Sequence, residues 1–148
     1  MKILVCGGAG FIGSTFIRNF LKNNVDTKIT NLDALTIGSN LASLKDLENN
    51  QNYNFIKDDI RNDTQIDKLI KETDIVVNFA AESHVDRSIA NPKPFIETNV
   101  LGTYTILEGI RKYDKKFIHV STDELYGDAG NQDSFNEKSI LKPSNPYS

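Results

Sequence analysis

Lys2-Ile3-Leu4-Val5-Cys6-Gly7-Gly8-Ala9-Gly10-Phe11-Ile12-Gly13 opens the chain, and Lys28-Ile29-Thr30-Asn31-Leu32-Asp33 answers it after a helical interval. The first run is short and apolar, carries two β-branched residues, and breaks at once into glycines. Phe16, Ile17, Phe20 and Leu21 then recur at helical spacing before the second run, which ends on an acid. The order is strand, glycine turn, helix, strand, acid. Each part has a mechanical role in holding a dinucleotide. The early glycines admit a turn that a side chain would block and let the backbone approach a pyrophosphate. Gly13 lets the helix lie close on the sheet, and the free N–H groups at the helix start attract phosphate charge. Asp33, about twenty residues past the glycines, is placed to accept hydrogen bonds from adenosine ribose hydroxyls.

A lone G-x-G-x-x-G says little. Here Gly7, Gly10 and Gly13 also fit G-x-x-G-x-x-G, and strand, helix and acid all fall where a dinucleotide needs them. The alternative is a glycine-rich turn with no ligand. After the acid come Ala34-Leu35-Thr36 and no arginine, which argues against a 2′-phosphate and for NAD over NADP.

The 148 residues suit one domain of ordinary size with a core large enough to fold. Net charge is −3 and the charges are scattered, so neither nucleic acid nor an anionic membrane is an expected partner. Cys6 is the only cysteine, which excludes an intrachain disulfide and a thiolate metal site; no metal is expected. At the end of an apolar strand it reads as a small packing residue. The N-terminal apolar run stops at glycine, too short for a signal-peptide core or a membrane span, and the chain is expected to be cytoplasmic.

Strand-like runs recur at Ile3–Cys6, Lys28–Leu32, Tyr53–Ile56, Ile75–Phe79 and Phe117–Ser121. Helical patterns lie between them at Phe11–Leu21, Ile66–Ile70 and Phe95–Ile110, with a weaker one at Leu41–Leu47 inside a connection. This alternation predicts an α/β fold: a doubly wound parallel sheet of Rossmann type, with helices on both faces. Gly127 to Lys142 loses all periodicity and reads as a surface loop. Ligands of such sheets bind at the carboxyl ends of strands, so polar clusters should follow the apolar runs. They do, at Asp58-Asp59-Ile60, Ala80 to Ser88, and Ser121-Thr122-Asp123-Glu124. Asp59 reads equally as a helix cap or an adenine contact. Thr122-Asp123-Glu124 sets a hydroxyl beside two acids, and neighbouring carboxyls can divide acid and base work where their environments separate them. Alone, acids after a strand are loop residues or caps; the position after the fifth run favours chemistry.

Three further stretches carry a resemblance. Ala80-Ala81-Glu82-Ser83-His84-Val85-Asp86-Arg87-Ser88-Ile89, Phe95-Ile96-Glu97-Thr98-Asn99-Val100-Leu101-Gly102-Thr103-Tyr104 and Ser121-Thr122-Asp123-Glu124-Leu125-Tyr126-Gly127 resemble the extended short-chain dehydrogenases, and within them the nucleotide-sugar 4,6-dehydratases. Pro143-Ser144-Asn145-Pro146-Tyr147-Ser148 resembles the segment that carries this family's catalytic tyrosine. A related epimerase would be expected to lack the Asp-Glu pair after the threonine.

The resemblance implies oxidation of a nucleotide-activated hexose at C4, loss of water across C5–C6 and return of hydride to C6, with NAD ending as it began. It assigns Tyr147 as the base at the C4 hydroxyl and Thr122 as the group orienting that oxygen. Glu124 removes the C5 proton, and protonated Asp123 donates to the departing C6 hydroxyl. Ser83 and His84 would lie near nicotinamide and sugar. It assigns the cofactor to Gly7, Gly10, Phe11, Ile12, Gly13, Asp33, Leu35, Thr36, Asp59, Ile60, Ala80, Ala81, Ser83 and Thr98, and implies a homodimer. Asp86 and Arg87 are expected to form a structural ion pair, Asn99 to hold backbone and water, and His119 to be a core or sheet-face residue.

The family motif is Tyr-x-x-x-Lys, whose ammonium lowers the tyrosine pKa from about 10 towards neutrality. Ser148 is the last residue, three short of that lysine. Residues 1–148 therefore read as one incomplete dinucleotide-binding domain, without the closing strands and C-terminal substrate domain of the family, and without turnover of their own. Cys6 stands where threonine is usual, and Ile37-Gly38-Ser39 where an aromatic is usual. Two classes of function follow. One is the NAD-binding part of a nucleotide-sugar dehydratase, or of a related dehydratase or epimerase of UDP- or GDP-sugars; the other is a non-catalytic NAD-binding module or remnant.

Overall fold

The computed structural model describes residues 1–130 and 134–148. Five strands, β1 (Lys2–Cys6), β2 (Lys28–Asp33), β3 (Tyr53–Lys57), β4 (Ile75–Asn78) and β5 (Lys116–His119), form one parallel sheet in the order β3-β2-β1-β4-β5. β1 sits in the middle, and Ile3 pairs with Ile29 on one side and Ile75 on the other. The chain builds outward from β1 to β3, then returns to lay β4 against the other side of β1. That reversal opens a crevice at the carboxyl ends of β1 and β4.

β1 is a continuous apolar run because both its faces are covered. Leu4 and Cys6 join Leu32, Ile66, Ile70, Val76 and Ile106 in one buried layer. Ile3 and Val5 join Ile17, Leu21, Ile29, Leu44 and Val77 in the other. Helix α1 (Phe11–Asn23) buries Gly13, Ser14, Ile17 and Leu21, a stripe at helical spacing, and a 3₁₀ segment (Leu41–Leu47) covers the same side through Leu44. On the opposite side lies α2 (Asp63–Lys71), started by Asn62, whose side chain accepts from the Gln65 N–H at 3.3 Å. α3 (Val85–Ala90) is a short helix after β4. The long helical pattern is a turn, α4 (Lys93–Phe95), a π-helical stretch (Ile96–Gly102) and α5 (Thr103–Tyr113).

The expected strands and helices are all present, with shifted ends. The last ladder bond between β4 and β5 runs from the Val120 N–H to the Asn78 carbonyl at 3.0 Å, so β4 stops before Phe79 and β5 before Val120 and Ser121. α3 was not expected: six residues are too few to show a period. The loop expected from Gly127 to Lys142 closes on itself, with the Lys142 N–H donating to the Leu125 carbonyl at 2.9 Å. Residues 131–133 of it lie outside the described residues. Among the described residues no helix is long and apolar enough to cross a membrane.

Candidate active site

A cleft of about 460 Å³ lies over the crevice. Gly7, Gly10, Phe11, Ile12 and Gly13 line one wall. The Gly7 N–H donates to the Leu32 carbonyl at 2.9 Å, and φ at Gly7 is +76°. A Cβ there would stand 2.5 Å from the Ala80 nitrogen, so both the conformation and the neighbour require glycine. A Cβ at Gly13 would stand 2.4 Å from the Gly7 carbonyl oxygen. The close approach this glycine permits is thus between helix and turn. Gly10, at the N-terminal end of α1, supplies no side-chain cap, which leaves first-turn N–H groups available at the cleft wall.

Asp33 is 5% exposed and lines the same cleft. Its Oδ2 accepts from the Ala9 N–H at 2.8 Å, and its Oδ1 from the Leu35 N–H and the Ser39 hydroxyl, each at 2.8 Å. Leu35 does not line the cleft; it reaches the site through that N–H, from a left-handed backbone with φ +56°. Thr36 does line it, as do Ile37, Gly38 and Ser39, which sequence reasoning noted only as a departure from the family.

Asp59 and Ile60 also line the cleft. The helix cap weighed for Asp59 falls instead to Asn62. Asp59 accepts from the Arg61 backbone N–H at 2.9 Å and pairs with the Arg61 guanidinium at 2.7 Å. Burial raises its pKa, but the hydrogen bonds and charge of Arg61 outweigh that and hold it below the ordinary range.

Ala80, Ala81, Ser83 and His84 bring the segment after β4 to the cleft. Its backbone is braced at three points. The Ala80 N–H donates to Asn78 Oδ1 at 3.0 Å. Asn99 accepts from the Glu82 N–H at 2.8 Å and donates to the Glu82 carbonyl at 3.0 Å, the backbone-holding role expected of it. Arg87 pairs with Glu82 at 3.2 Å, and not with Asp86 as expected. Adjacent residues of a helix point apart, and both lie in α3. His84, two residues past Glu82, has φ +80°, a conformation that costs a non-glycine residue about 1–3 kcal/mol. Thr98, one residue before Asn99 on the π-helical stretch, reaches the cleft.

Tyr147 and Ser121 also line the cleft, and the Tyr147 ring is edge-on to Phe95 at 6.4 Å between centroids. Thr122, Asp123 and Glu124 lie just beyond the cleft lining, at the start of a 3₁₀ turn (Asp123–Tyr126). Thr122 Oγ1 accepts from the Glu124 N–H at 3.2 Å and so caps this turn. Glu124 Oε2 accepts from Asn145 Nδ2 at 3.2 Å, a contact that joins the triplet to the tyrosine segment. His119 is a sheet-face residue: its ring stacks on Phe117 and meets Asn78 Nδ2 at 3.3 Å. Sequence reasoning gave no cofactor role to Leu32, Ala34, Phe79 and Val120 in the lining, and placed Asp58 and Ser121 only in the polar clusters that follow strands. Among the described residues, no group of three or more His, Cys, Asp or Glu side chains could hold a metal ion.

The family model described as GDP-mannose 4,6 dehydratase matches residues 4–148. The dTDP-glucose 4,6-dehydratase of Salmonella typhimurium is 46% identical over 169 aligned residues, covering all of this chain and 46% of the relative. The crystal structure of dTDP-glucose 4,6-dehydratase from Bacillus anthracis in complex with NAD superposes with a TM-score of 0.90 at 45% identity, over 99% of this chain and 46% of that one. The Streptomyces venezuelae dTDP-glucose 4,6-dehydratase with NAD and TYD bound superposes with a TM-score of 0.94 at 42% identity, over 99% of this chain and 47% of that one. The chain thus spans just under half the length of the relatives it matches.

Proposed function

The chain belongs to the GDP-mannose 4,6 dehydratase family, and on that premise we propose that the protein carrying it is an NAD-dependent dehydratase that converts dTDP-glucose to dTDP-4-keto-6-deoxyglucose. One observation carries this reading: a single cleft joins the glycine turn and Asp33 to Tyr147, with Thr122-Asp123-Glu124 tied to the tyrosine segment at its rim. The names of the relatives and the NAD in the structural neighbours support it.

The residues present fit NAD. A Cβ would fill the turn at Gly7 and Gly13, and helix-start N–H groups face the same wall. The Asp33 carboxylate has about four acceptor sites, three of them taken by Ala9, Leu35 and Ser39. It retains room for one ribose hydroxyl. When bound, the nicotinamide supplies a hydride acceptor that later serves as donor. Tyr147 takes the proton of the sugar C4 hydroxyl, and Thr122 orients that oxygen. The resulting 4-ketone acidifies C5–H, Glu124 removes that proton, and Asp123 protonates the C6 hydroxyl as water leaves. Ser83 and His84 line the same cleft and would lie near nicotinamide and sugar.

The chain spans just under half the length of these relatives, so the turnover proposed here is that of the full-length protein. We read the protein as a cytoplasmic homodimer with no nucleic-acid or membrane partner. The exposed apolar ridge of Ile96, Val100, Tyr104 and Leu107 on the long helix supports the dimer. The test supplies the full-length protein with dTDP-glucose, UDP-glucose and GDP-mannose in turn and follows 4-keto-6-deoxy sugar by NMR. Formation from dTDP-glucose alone is expected; none from dTDP-glucose overturns the proposal.

A further inference from the structure

Asn145 stands between two groups that the proposed chemistry uses in different steps. It is followed by Pro146, which has no N–H, so the next two backbone donors are those of Tyr147 and Ser148. Both donate to Asn145 Oδ1, each at 3.0 Å. This is the bonding of an asparagine that caps a helical turn with proline at its first position. Ser148 closes the frame: its hydroxyl donates to the Asn145 carbonyl at 3.0 Å and accepts from the Ser144 N–H at 3.2 Å. With its oxygen occupied by the cap, the amide has its nitrogen left, and that nitrogen donates to Glu124 Oε2 at 3.2 Å. Glu124 is therefore held at both ends, its backbone by Thr122 and its carboxylate by Asn145.

We propose that Asn145 is a positioning residue, whose single planar amide fixes the Glu124 carboxylate relative to the Tyr147 backbone. This rests on the functional reading above. Of the good capping side chains, aspartate can accept from both N–H groups but has no donor for Glu124. Serine has a donor on a shorter arm. Asparagine supplies acceptor and donor on opposite sides of one rigid group.

Asn145→Asp separates the two functions, since it keeps the cap acceptor but sets a carboxylate oxygen, in place of the donor, against the Glu124 carboxylate. In the full-length protein with dTDP-glucose, two quantities are measured. They are hydrogen–deuterium exchange of the Tyr147 and Ser148 amides, and solvent deuterium incorporation at C5 of the sugar. Amide protection is expected to stay at the wild-type level, while C5 incorporation falls by about tenfold or more, the effect of replacing one hydrogen bond to a charged group by like-charge repulsion. Asn145→Ala, which lacks acceptor and donor alike, should lose both. Wild-type C5 incorporation in Asn145→Asp overturns the proposal. So does parallel loss of amide protection and incorporation in that variant, because the frame and not the donor would then matter. Absence of C5 incorporation in the wild-type protein overturns the functional reading and this one with it.

Discussion

The Ala9 backbone N–H donates to Asp33 Oδ2 at 2.8 Å, so the acid that ends β2 holds the glycine turn that ends β1. The same carboxylate holds Leu35 and Ser39 of the following loop through its other oxygen. A residue expected to recognise ribose is thus first a brace for the two loops that border the cleft. Shape and recognition are coupled through one side chain.

Asp33→Ala should therefore do two things. It leaves the Ala9 N–H buried without a partner, and it removes the acceptor site proposed for ribose. Each loss is worth about 1–3 kcal/mol. NAD affinity of the full-length protein should fall by at least about tenfold in titration calorimetry, and the unfolding midpoint in urea should fall without NAD. A variant with unchanged stability would show that the brace is dispensable.

Gly7→Ala and Gly38→Ala form a matched pair. Both glycines have positive φ, +76° and +92°, but a Cβ at Gly7 meets the Ala80 backbone at 2.5 Å while a Cβ at Gly38 meets nothing within 4 Å. Gly38→Ala should cost only the conformational part, about 1–2 kcal/mol. Gly7→Ala should cost more than about 3 kcal/mol, because backbone and not a flexible side chain must move. Chemical denaturation of the two variants side by side isolates the contact.

The order of elements was legible because β1 and β4 are buried on both faces and so appear as short apolar runs, while α1 must turn a narrow stripe to the sheet. The glycine turn was legible for a steric reason that sequence carries directly. What escaped was set by partners distant in the chain. Strand ends at Asn78 and His119 depend on where a ladder stops. α3 has no side-chain cap at His84 and too few residues to show a period. Arg87 found Glu82, five residues back, rather than its neighbour in sequence. The threefold bonding of Asp33 joins segments up to 24 residues apart, and nothing in its local sequence marks it.

Cys6 is fully buried at the end of β1, and burial, with a smaller contribution from the nearby Asp33 charge, pushes its thiol up to about 12. The thiolate is the reactive species, so at pH 8 the native thiol should resist iodoacetamide. Alkylation should proceed only as fast as the fold opens, and quickly in urea. Rapid labelling of the native chain would contradict the packing around β1.

His119 has its pKa lowered by partial desolvation of the ring, which stacks on Phe117 beside Asn78. The unfolded chain binds a proton at this site near pH 6.5, above the folded value. The neutral ring therefore contributes stability that is present above about pH 6.5 and is lost as pH falls through the folded pKa. His119→Phe should flatten this part of the stability profile. Denaturation midpoints of both proteins between pH 7.5 and pH 5, compared as a difference, read the effect; parallel profiles would remove His119 as the source.

Glu124→Gln tests the division of labour at the cleft rim. The glutamine keeps a side-chain oxygen that can accept from Asn145 Nδ2, now 3.2 Å from Glu124 Oε2, and leaves the Thr122 cap on the backbone intact. What it loses is the ability to take a proton. In the proposed division of roles C4 oxidation uses Tyr147 and Thr122, not Glu124, so substrate addition to the full-length variant should still raise the absorbance of reduced nicotinamide. C5 deuterium incorporation should drop by about a hundredfold or more, in line with loss of a general base. One signal is therefore kept and the other lost, which a general loss of folding or binding would not produce. A variant that loses the absorbance change and keeps the exchange would exchange the roles of Glu124 and the Tyr147 side of the cleft.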